Sequence, residues 1–206
     1  MKKIIKNFIL SYMAGFVIGL GCIVNLVSQN SVVGAIFFTT GLFLVLTRGY
    51  DLFTGKVAYA IENNYRYSLN LILMWFGNLA GAISLATITR FTSLYQKITE
   101  KSDIIINNKL SQGRLSTFLL AVLCGIIIFL AVENFKCNEH EFGKYFGLLL
   151  LIPLFILCGF EHCVANMYYC SVTNGQYLEK IIFVLYCTLG NTVGSIVCNS
   201  LKKLKK

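Results

Sequence analysis

Six long apolar segments make up most of this chain, and they restrict its fold more than any other feature. They are residues 8–27, 32–61, 68–90, 115–134, 145–173 and 180–201. A helix of about eighteen or more apolar residues crosses the ~30 Å hydrocarbon core of a bilayer. Because 56% of the 206 residues are hydrophobic, a water-soluble domain would leave large apolar patches exposed. We therefore predict an all-α, multi-span membrane protein with six transmembrane helices.

The basic residues lie mostly outside these segments. The formal net charge is +9, and the chain ends carry Lys2, Lys3, Lys6, Lys202, Lys203, Lys205 and Lys206. No basic helix interleaved with aromatic residues accompanies them, so we expect no nucleic-acid partner. Six crossings place both ends on one side, and basic ends favour the cytoplasm. We predict a protein of the cell (inner) membrane, embedded in the lipid bilayer, with both termini cytoplasmic and an uncleaved first helix.

The connection between the third and fourth segments, residues 91–114, does not fit this charge rule. On the predicted topology it lies outside, yet it is rich in charge, with Lys97, Lys101, Lys109 and Arg114 against Glu100 and Asp103. Positive charge is disfavoured on that side. One of these lysines is therefore a candidate for attracting a substrate.

The second and fifth segments are too long for one straight crossing, and polar residues interrupt both. The interruptions are RGYDLFTGK (48–56) and GFEHCVANM (159–167), and a GNxxG motif follows each, at 77–81 and 190–194. We infer one domain, 1–206, made of two three-span repeats, about 8–90 and 115–201. An odd number of spans inverts the second repeat, and inverted repeats with broken helices indicate a central permeation or binding site.

Four polar residues in the repeats are expected to hold the structure together. Asn78 and Asn191 of the GNxxG motifs are expected to hydrogen-bond across closely packed helices. The carboxylates of Asp51 and Glu161 are expected to accept hydrogen bonds from the free N–H groups of the half-helices that begin just after them.

Two other residues are candidates for chemistry. His162 lies at the second break, where one side of the helix faces the predicted pathway. Thr54 lies at the first break, where its hydroxyl either reaches toward the histidine or a solute, or bonds to its own helix. The sequence leaves these two interpretations of Thr54 open.

The eight cysteines contain no CxxC pair and predict neither a disulfide framework nor a metal site.

The strings GYDLFTGKVAY, WFGNLAGA, GFEHCVANMYY and LGNTVGS resemble, in order and spacing, the signature motifs of the formate/nitrite transporter family. The resemblance runs from about Phe8 to Leu201. It implies an aquaporin-like six-helix protomer, a homopentamer with one pore per subunit, and conduction of small monovalent anions of weak acids. Formate, nitrite, hydrosulfide and lactate-like acids are the implied substrates. It also implies that the protein is not an enzyme and holds no cofactor.

The resemblance assigns a role to several positions. His162 corresponds to the family's central histidine, Thr54 to its threonine, and Lys109 to a lysine shortly before the fourth span. The apolar constrictions of the pore map onto Leu42, Leu52, Phe53 and Phe155. Two features depart from the family: Gly125 stands where an asparagine is usual, which removes a polar group from the pore wall, and only seven residues precede the first segment.

Several alternatives stay open beside a formate/nitrite-type channel. A hydrosulfide channel belongs to the same family. A non-conducting membrane scaffold, in which Glu161 and His162 only fasten helices, belongs to another class. An intramembrane metalloprotease would need a ligand motif such as HExxH, and the chain has only two histidines. A neutral-solute channel of aquaporin type would carry paired Asn-Pro-Ala turns, which are absent from the sequence.

Overall fold

The computed structural model describes residues 2–202 and 204, so Lys203, Lys205 and Lys206 of the basic C-terminus lie outside the described residues. Within that range every regular element is helical, which confirms the all-α class. The α-helices are α1 Lys2–Val27, α2 Ser31–Arg48, α3 Phe53–Lys56, α4 Tyr65–Arg90, α5 Tyr95–Ser111, α6 Arg114–Cys137, α7 Glu141–Leu157, α8 Cys163–Val172 and α9 Tyr177–Lys202. A 3-10 helix, Val57–Glu62, continues α3.

Both predicted helix breaks are present. After α2, and again after α7, the chain turns at a glycine, Gly49 or Gly159, each with φ +68°. This left-handed conformation ends a helix readily at glycine, which has no Cβ to clash. In the described range, α1, α2, α4, α6 and α9 are each long and apolar enough to cross a membrane. The fifth predicted segment, 145–173, is divided between α7 and α8, so neither half meets that length alone.

The segment 91–114 is not the simple connection that the sequence suggested, because it contains the helix α5. Ile98, Ser102 and Ile106 recur at every fourth residue and are buried, so one stripe of α5 packs against the rest of the molecule. Lys97 and Lys101 each donate a hydrogen bond of 2.8 Å to a carbonyl oxygen at the end of α1. These two lysines therefore attach α5 to α1 by donating to carbonyl oxygens that have no partner within the helix. We call this side of the molecule the α5 face.

The ends of the described chain lie on the opposite side. The ammonium of Lys202, the last residue of α9, forms an ion pair with Glu133 near the end of α6. The helix α1 also begins on this side, since its other end is held by α5. We call it the C-terminal face.

Glycines bring the long helices into close contact in both halves of the chain. A Cβ added to Gly81 would lie 2.0 Å from the carbonyl oxygen of Tyr12, and one added to Gly194 would lie 2.0 Å from that of Val122. Helix α4 thus packs backbone to backbone on α1, and α9 on α6.

Gly125, which the resemblance placed in the pore wall in place of a polar residue, belongs to the same kind of contact. A Cβ at this position would lie 2.3 Å from the carbonyl oxygen of Asn191. In the first half, a Cβ added to Gly15 would lie 1.9 Å from the carbonyl oxygen of Asn78. The crossing of α6 and α9 leaves no room for a side chain at Gly125, so its glycine is explained by helix packing.

Candidate functional site

The two helix breaks meet at a pair of buried polar side chains. The hydroxyl oxygen of Thr54 lies 2.8 Å from Nε2 of His162, and the two side chains come from positions 108 residues apart in the sequence. Thr54 is fully buried and His162 is 2% exposed. Of the two interpretations of Thr54, the structure therefore selects the contact with the histidine.

The second ring nitrogen of His162 determines how this pair is protonated. Nδ1 accepts a hydrogen bond from the backbone N–H of Ala165 at 3.2 Å, so His162 is the N-cap of α8. A nitrogen that accepts a hydrogen bond carries no proton, so the proton of the neutral ring is on Nε2. Nε2–H then donates to the hydroxyl of Thr54.

Asn78 fastens the first break, as predicted. Its side-chain oxygen accepts a hydrogen bond from the N–H of Phe53 at 2.9 Å, at the start of α3. Its amide nitrogen donates to the carbonyl oxygens of Ser11 at 2.7 Å and Asp51 at 2.9 Å. One buried side chain on α4 thus connects the half-helix, the break and α1.

Asn191 makes the corresponding three hydrogen bonds in the second half. Its oxygen accepts from the N–H of Cys163 at 2.9 Å, and its amide nitrogen donates to the carbonyl oxygens of Ala121 at 2.8 Å and Glu161 at 2.7 Å. The asparagines and His162 therefore cap the half-helices. The prediction that the carboxylates of Asp51 and Glu161 fill this role was wrong.

Glu161 instead gathers donors from several elements. Its carboxylate accepts hydrogen bonds from Lys109 at 2.5 Å, Gln112 at 2.8 Å and Asn166 at 2.8 Å. The Glu161 side chain is 1% exposed and that of Lys109 16%. A buried carboxylate needs such partners because unpaired charge is costly away from water. The pair brings the predicted substrate lysine to the second break.

Asp51, at the first break, also pairs with a lysine, but this lysine comes from its own half-helix. The ammonium of Lys56 forms an ion pair with the Asp51 carboxylate. The position equivalent to Lys56 in the second half is Asn166, which is likewise five residues after its carboxylate. The two breaks therefore share a pattern but differ in charge.

Apolar side chains lie close to the Thr54–His162 pair. The ring of Phe155 lies 5.8 Å from that of His162, and the ring of Phe38 packs edge-on against Phe155 at 5.7 Å. Toward the C-terminal face, Leu42 and Leu52 line a cavity of about 130 Å³. Phe53 is 7% exposed, and its backbone is held by Asn78.

Sequence reasoning missed four residues around this centre: Phe38, Lys56, Gln112 and Asn166. Phe38 looks like any other aromatic residue of an apolar segment, and nothing in the sequence sets Gln112 apart from other loop residues. Comparison of the two breaks offers a signal for the other two, since Lys56 and Asn166 occupy the same place after Asp51 and Glu161. Only the tertiary contacts give each a partner.

Together these features describe a multi-pass helical membrane protein in which two broken helices meet at a buried threonine–histidine pair. A family model described as formate/nitrite transporter matches residues 1–203. The chain belongs to this family.

Known relatives agree with this assignment. The chain is 25% identical over 203 residues to the formate channel FocA of Haemophilus influenzae, an alignment that covers 82% of this chain and 72% of the relative. It is 26% identical to the formate channel FocB of Escherichia coli, in an alignment that covers 75% of this chain and 59% of the relative. A solved structure of a pentameric formate channel with formate bound matches with a TM-score of 0.84 at 25% identity, covering 99% of this chain and 97% of the other.

Proposed function

We propose that this protein is a membrane channel for a small monovalent anion of a weak acid, with formate as the first candidate. The anion crosses the centre as the neutral acid or together with a proton. Family membership and the formate channels among its relatives support this proposal. Those relatives are channels, which also favours a protein that is not an enzyme.

The observation that carries the proposal is the contact between Thr54 and His162. It provides a hydroxyl and a ring N–H at the meeting point of two helix breaks, with apolar residues close by. A pathway for a small polar solute needs such groups at its centre, because the solute leaves water there and needs hydrogen bonds in exchange. Asn78, Asn191 and Nδ1 of His162 already fasten the half-helices, so the contact between Nε2 and Thr54 is additional to that fastening.

Desolvation favours passage of the neutral form. An anion that enters an apolar layer loses hydration worth several kcal/mol, whereas its conjugate acid loses far less. In the low-dielectric layer the equilibrium of the solute shifts toward its protonated form. Protonation thus lowers the barrier at Leu42, Leu52, Phe53 and Phe155, the proposed constrictions.

The N-cap role of His162 favours water as the proton source over the histidine. The neutral ring can give up its Nε2 proton only by becoming an imidazolate anion, or by first taking a second proton at Nδ1. That second proton would face the N–H of Ala165 and break the cap. In this proposal His162 orients the solute by donating a hydrogen bond, and Thr54 assists it.

Lys109 attracts the anion on the α5 face. Its ammonium is partly exposed and keeps two donors after pairing with Glu161. Positive potential from this group and from the N-terminus of α8 raises the local anion concentration. With both termini cytoplasmic, as the basic chain ends suggest, the α5 face is the outer mouth in the cell (inner) membrane.

The substrate is tested with purified protein in liposomes. Uptake of formate, nitrite, hydrosulfide and lactate is measured at two external pH values for the wild type and His162→Phe. We expect the wild type to carry formate or a close analogue, faster at the lower pH because more neutral acid is present. His162→Phe is expected to lower this flux and change its pH dependence, while the protein stays folded by thermal melting.

Each other outcome has a distinct meaning. Preference for hydrosulfide would assign the alternative substrate within the family. Unchanged flux in both His162→Phe and His162→Asn would remove the histidine from the mechanism. No uptake of any of the four anions by folded wild type would favour a non-conducting scaffold subunit.

A further inference from the structure

The cavity on the C-terminal face holds two lysines that the proposed mechanism does not use. It has a volume of about 130 Å³, and its lining includes the side chains of Lys56 and Lys136 together with Leu42 and Leu52. These leucines separate the cavity from the Thr54–His162 centre in the proposed pore. A solute that approaches the centre from the C-terminal face therefore meets the two lysines first.

Lys136 is held in position without a carboxylate within ion-pair distance among the described residues. Its ammonium donates to the hydroxyl of Tyr59 at 3.2 Å and lies 4.5 Å from the centre of that ring. The hydroxyl of Tyr59 in turn donates to Glu133, whose charge is balanced by the ion pair with Lys202. Lys136 is thus fixed by an aromatic ring and keeps two N–H donors for a ligand.

Lys56 brings a positive charge to a position that is neutral in the second half. There the equivalent residue is Asn166, whose amide bonds to Glu161. A neutral side chain is sufficient at that position because Lys109, from another element, supplies the charge that pairs with Glu161. The Lys56 side chain is 37% exposed, so its remaining donors are open to the cavity.

The charges around the two breaks do not balance in the same way. At the second break, one carboxylate faces one ammonium, Glu161 and Lys109. At the first break, the carboxylate of Asp51 faces Lys56 at ion-pair distance, and Lys136 lines the same cavity. Among the described residues that line it, the cavity on the C-terminal face therefore carries two ammonium groups and no carboxylate next to an apolar floor, while Asp51 pairs with Lys56 and Glu133 is linked to Lys136 through Tyr59.

We propose that Lys56 and Lys136 form a second anion-binding site, which takes a small monovalent carboxylate or similar compact anion at the C-terminal mouth of the pore. This inference rests on the proposed channel function and extends it to the opposite face from Lys109. The site holds the anion in its charged form, by hydrogen bonds from two ammonium groups, before protonation and passage between Leu42 and Leu52.

The test measures formate flux from each face as a function of formate concentration. Protein is reconstituted in liposomes, and the protease accessibility of a C-terminal tag reports its orientation. The variants are Lys136→Gln, Lys56→Asn, which copies Asn166, and Lys136→Arg, which keeps the charge. Lys144→Gln is the matched control, because Lys144 lies on the same face at the start of α7, pairs with Glu141 and does not line the cavity.

Removing one unit charge near the bound anion is expected to raise the half-saturating formate concentration at the C-terminal face about fivefold. Lys136→Gln and Lys56→Asn both show this rise, whereas Lys136→Arg and Lys144→Gln stay close to the wild type. Added salt reduces the difference between the wild type and the neutral variants. At low formate concentration, a substitution changes the permeability equally for flux in both directions, since a passive pore cannot favour one direction of transport.

The inference is overturned if Lys136→Gln and Lys56→Asn saturate at the wild-type concentration while the wild type conducts. It is also overturned if Lys144→Gln shows the same rise, because general surface charge then explains the effect. A folded wild type that carries no anion overturns the proposed channel function, and the second site falls with it. The first two outcomes leave the channel function intact.

Discussion

At the scale of single residues, His162 performs two tasks with its two ring nitrogens. Nδ1 caps α8 by accepting the N–H of Ala165, and this bond leaves the proton on Nε2, which faces Thr54. The cap therefore fixes both the orientation of the ring and its tautomer. The same residue connects the architecture of the break to the chemistry of the proposed pore.

Thr54→Val is expected to lower formate permeability roughly tenfold, because loss of one buried hydrogen-bond partner costs about 1–3 kcal/mol. The valine has nearly the shape of threonine but leaves the Nε2–H of His162 unpaired. Formate uptake into liposomes measures the effect.

Thr54→Ser serves as the control, since it keeps the hydroxyl and loses only a methyl group. It is expected to retain most of the wild-type permeability. Equal uptake by Thr54→Val and Thr54→Ser would show that the hydroxyl has no part in conduction.

At the scale of elements, the same solution to a structural problem occurs twice. Each half-helix begins inside the molecule, where its first N–H groups have no intrahelical partner. In each half an asparagine from the long helix that follows supplies the acceptor, Asn78 for α3 and Asn191 for α8. We propose on this basis that residues 8–90 and 115–201 are repeats related by inversion.

Gly125→Ala is expected to lower the free energy of unfolding by about 1–3 kcal/mol, because the new Cβ meets the backbone of Asn191, which cannot yield without separating α6 from α9. Thermal melting in detergent measures the change as a lower Tm.

Gly55→Ala provides the matched comparison, since its Cβ would meet only side chains at ordinary contact distances, Val132 at 3.4 Å and Leu52 at 3.9 Å. Its Tm is expected to stay near that of the wild type. If Gly125→Ala melts at the same temperature as Gly55→Ala, the two helices are not packed as closely as described.

At the scale of the whole molecule, one chain encloses the complete centre. Thr54 and His162 come from the two halves of a single chain, and α5 brings Lys109 to the second break. A neighbouring copy is therefore not needed to complete the threonine–histidine pair.

The protein is expected to assemble as a homopentamer, as in the structure of a pentameric formate channel that it resembles. Native mass spectrometry from detergent is expected to give about five times the 23.1 kDa of one chain. A different stoichiometry in lipid-like detergents would contradict the pentamer.

The sequence by itself determined the helical class, the two breaks and the polar residues at them. Long apolar runs have few ways to satisfy their backbone hydrogen bonds in a membrane, and in both interrupted runs the helix ends at a glycine that an acidic residue follows two positions later. The GNxxG spacing also predicted that Asn78 and Asn191 fasten the breaks. The motifs further indicated the family, which its model then confirmed over residues 1–203.

The tertiary structure alone decided which side chains meet. The capping groups were misassigned to Asp51 and Glu161, because an acid beside a helix start is a sufficient local explanation, whereas the asparagine that fills the role is 27 to 30 residues away. The close approach behind Gly125 likewise involves the backbone of another helix. Hydrogen bonds and steric contacts depend on distances of a few ångströms, which sequence spacing does not fix between helices.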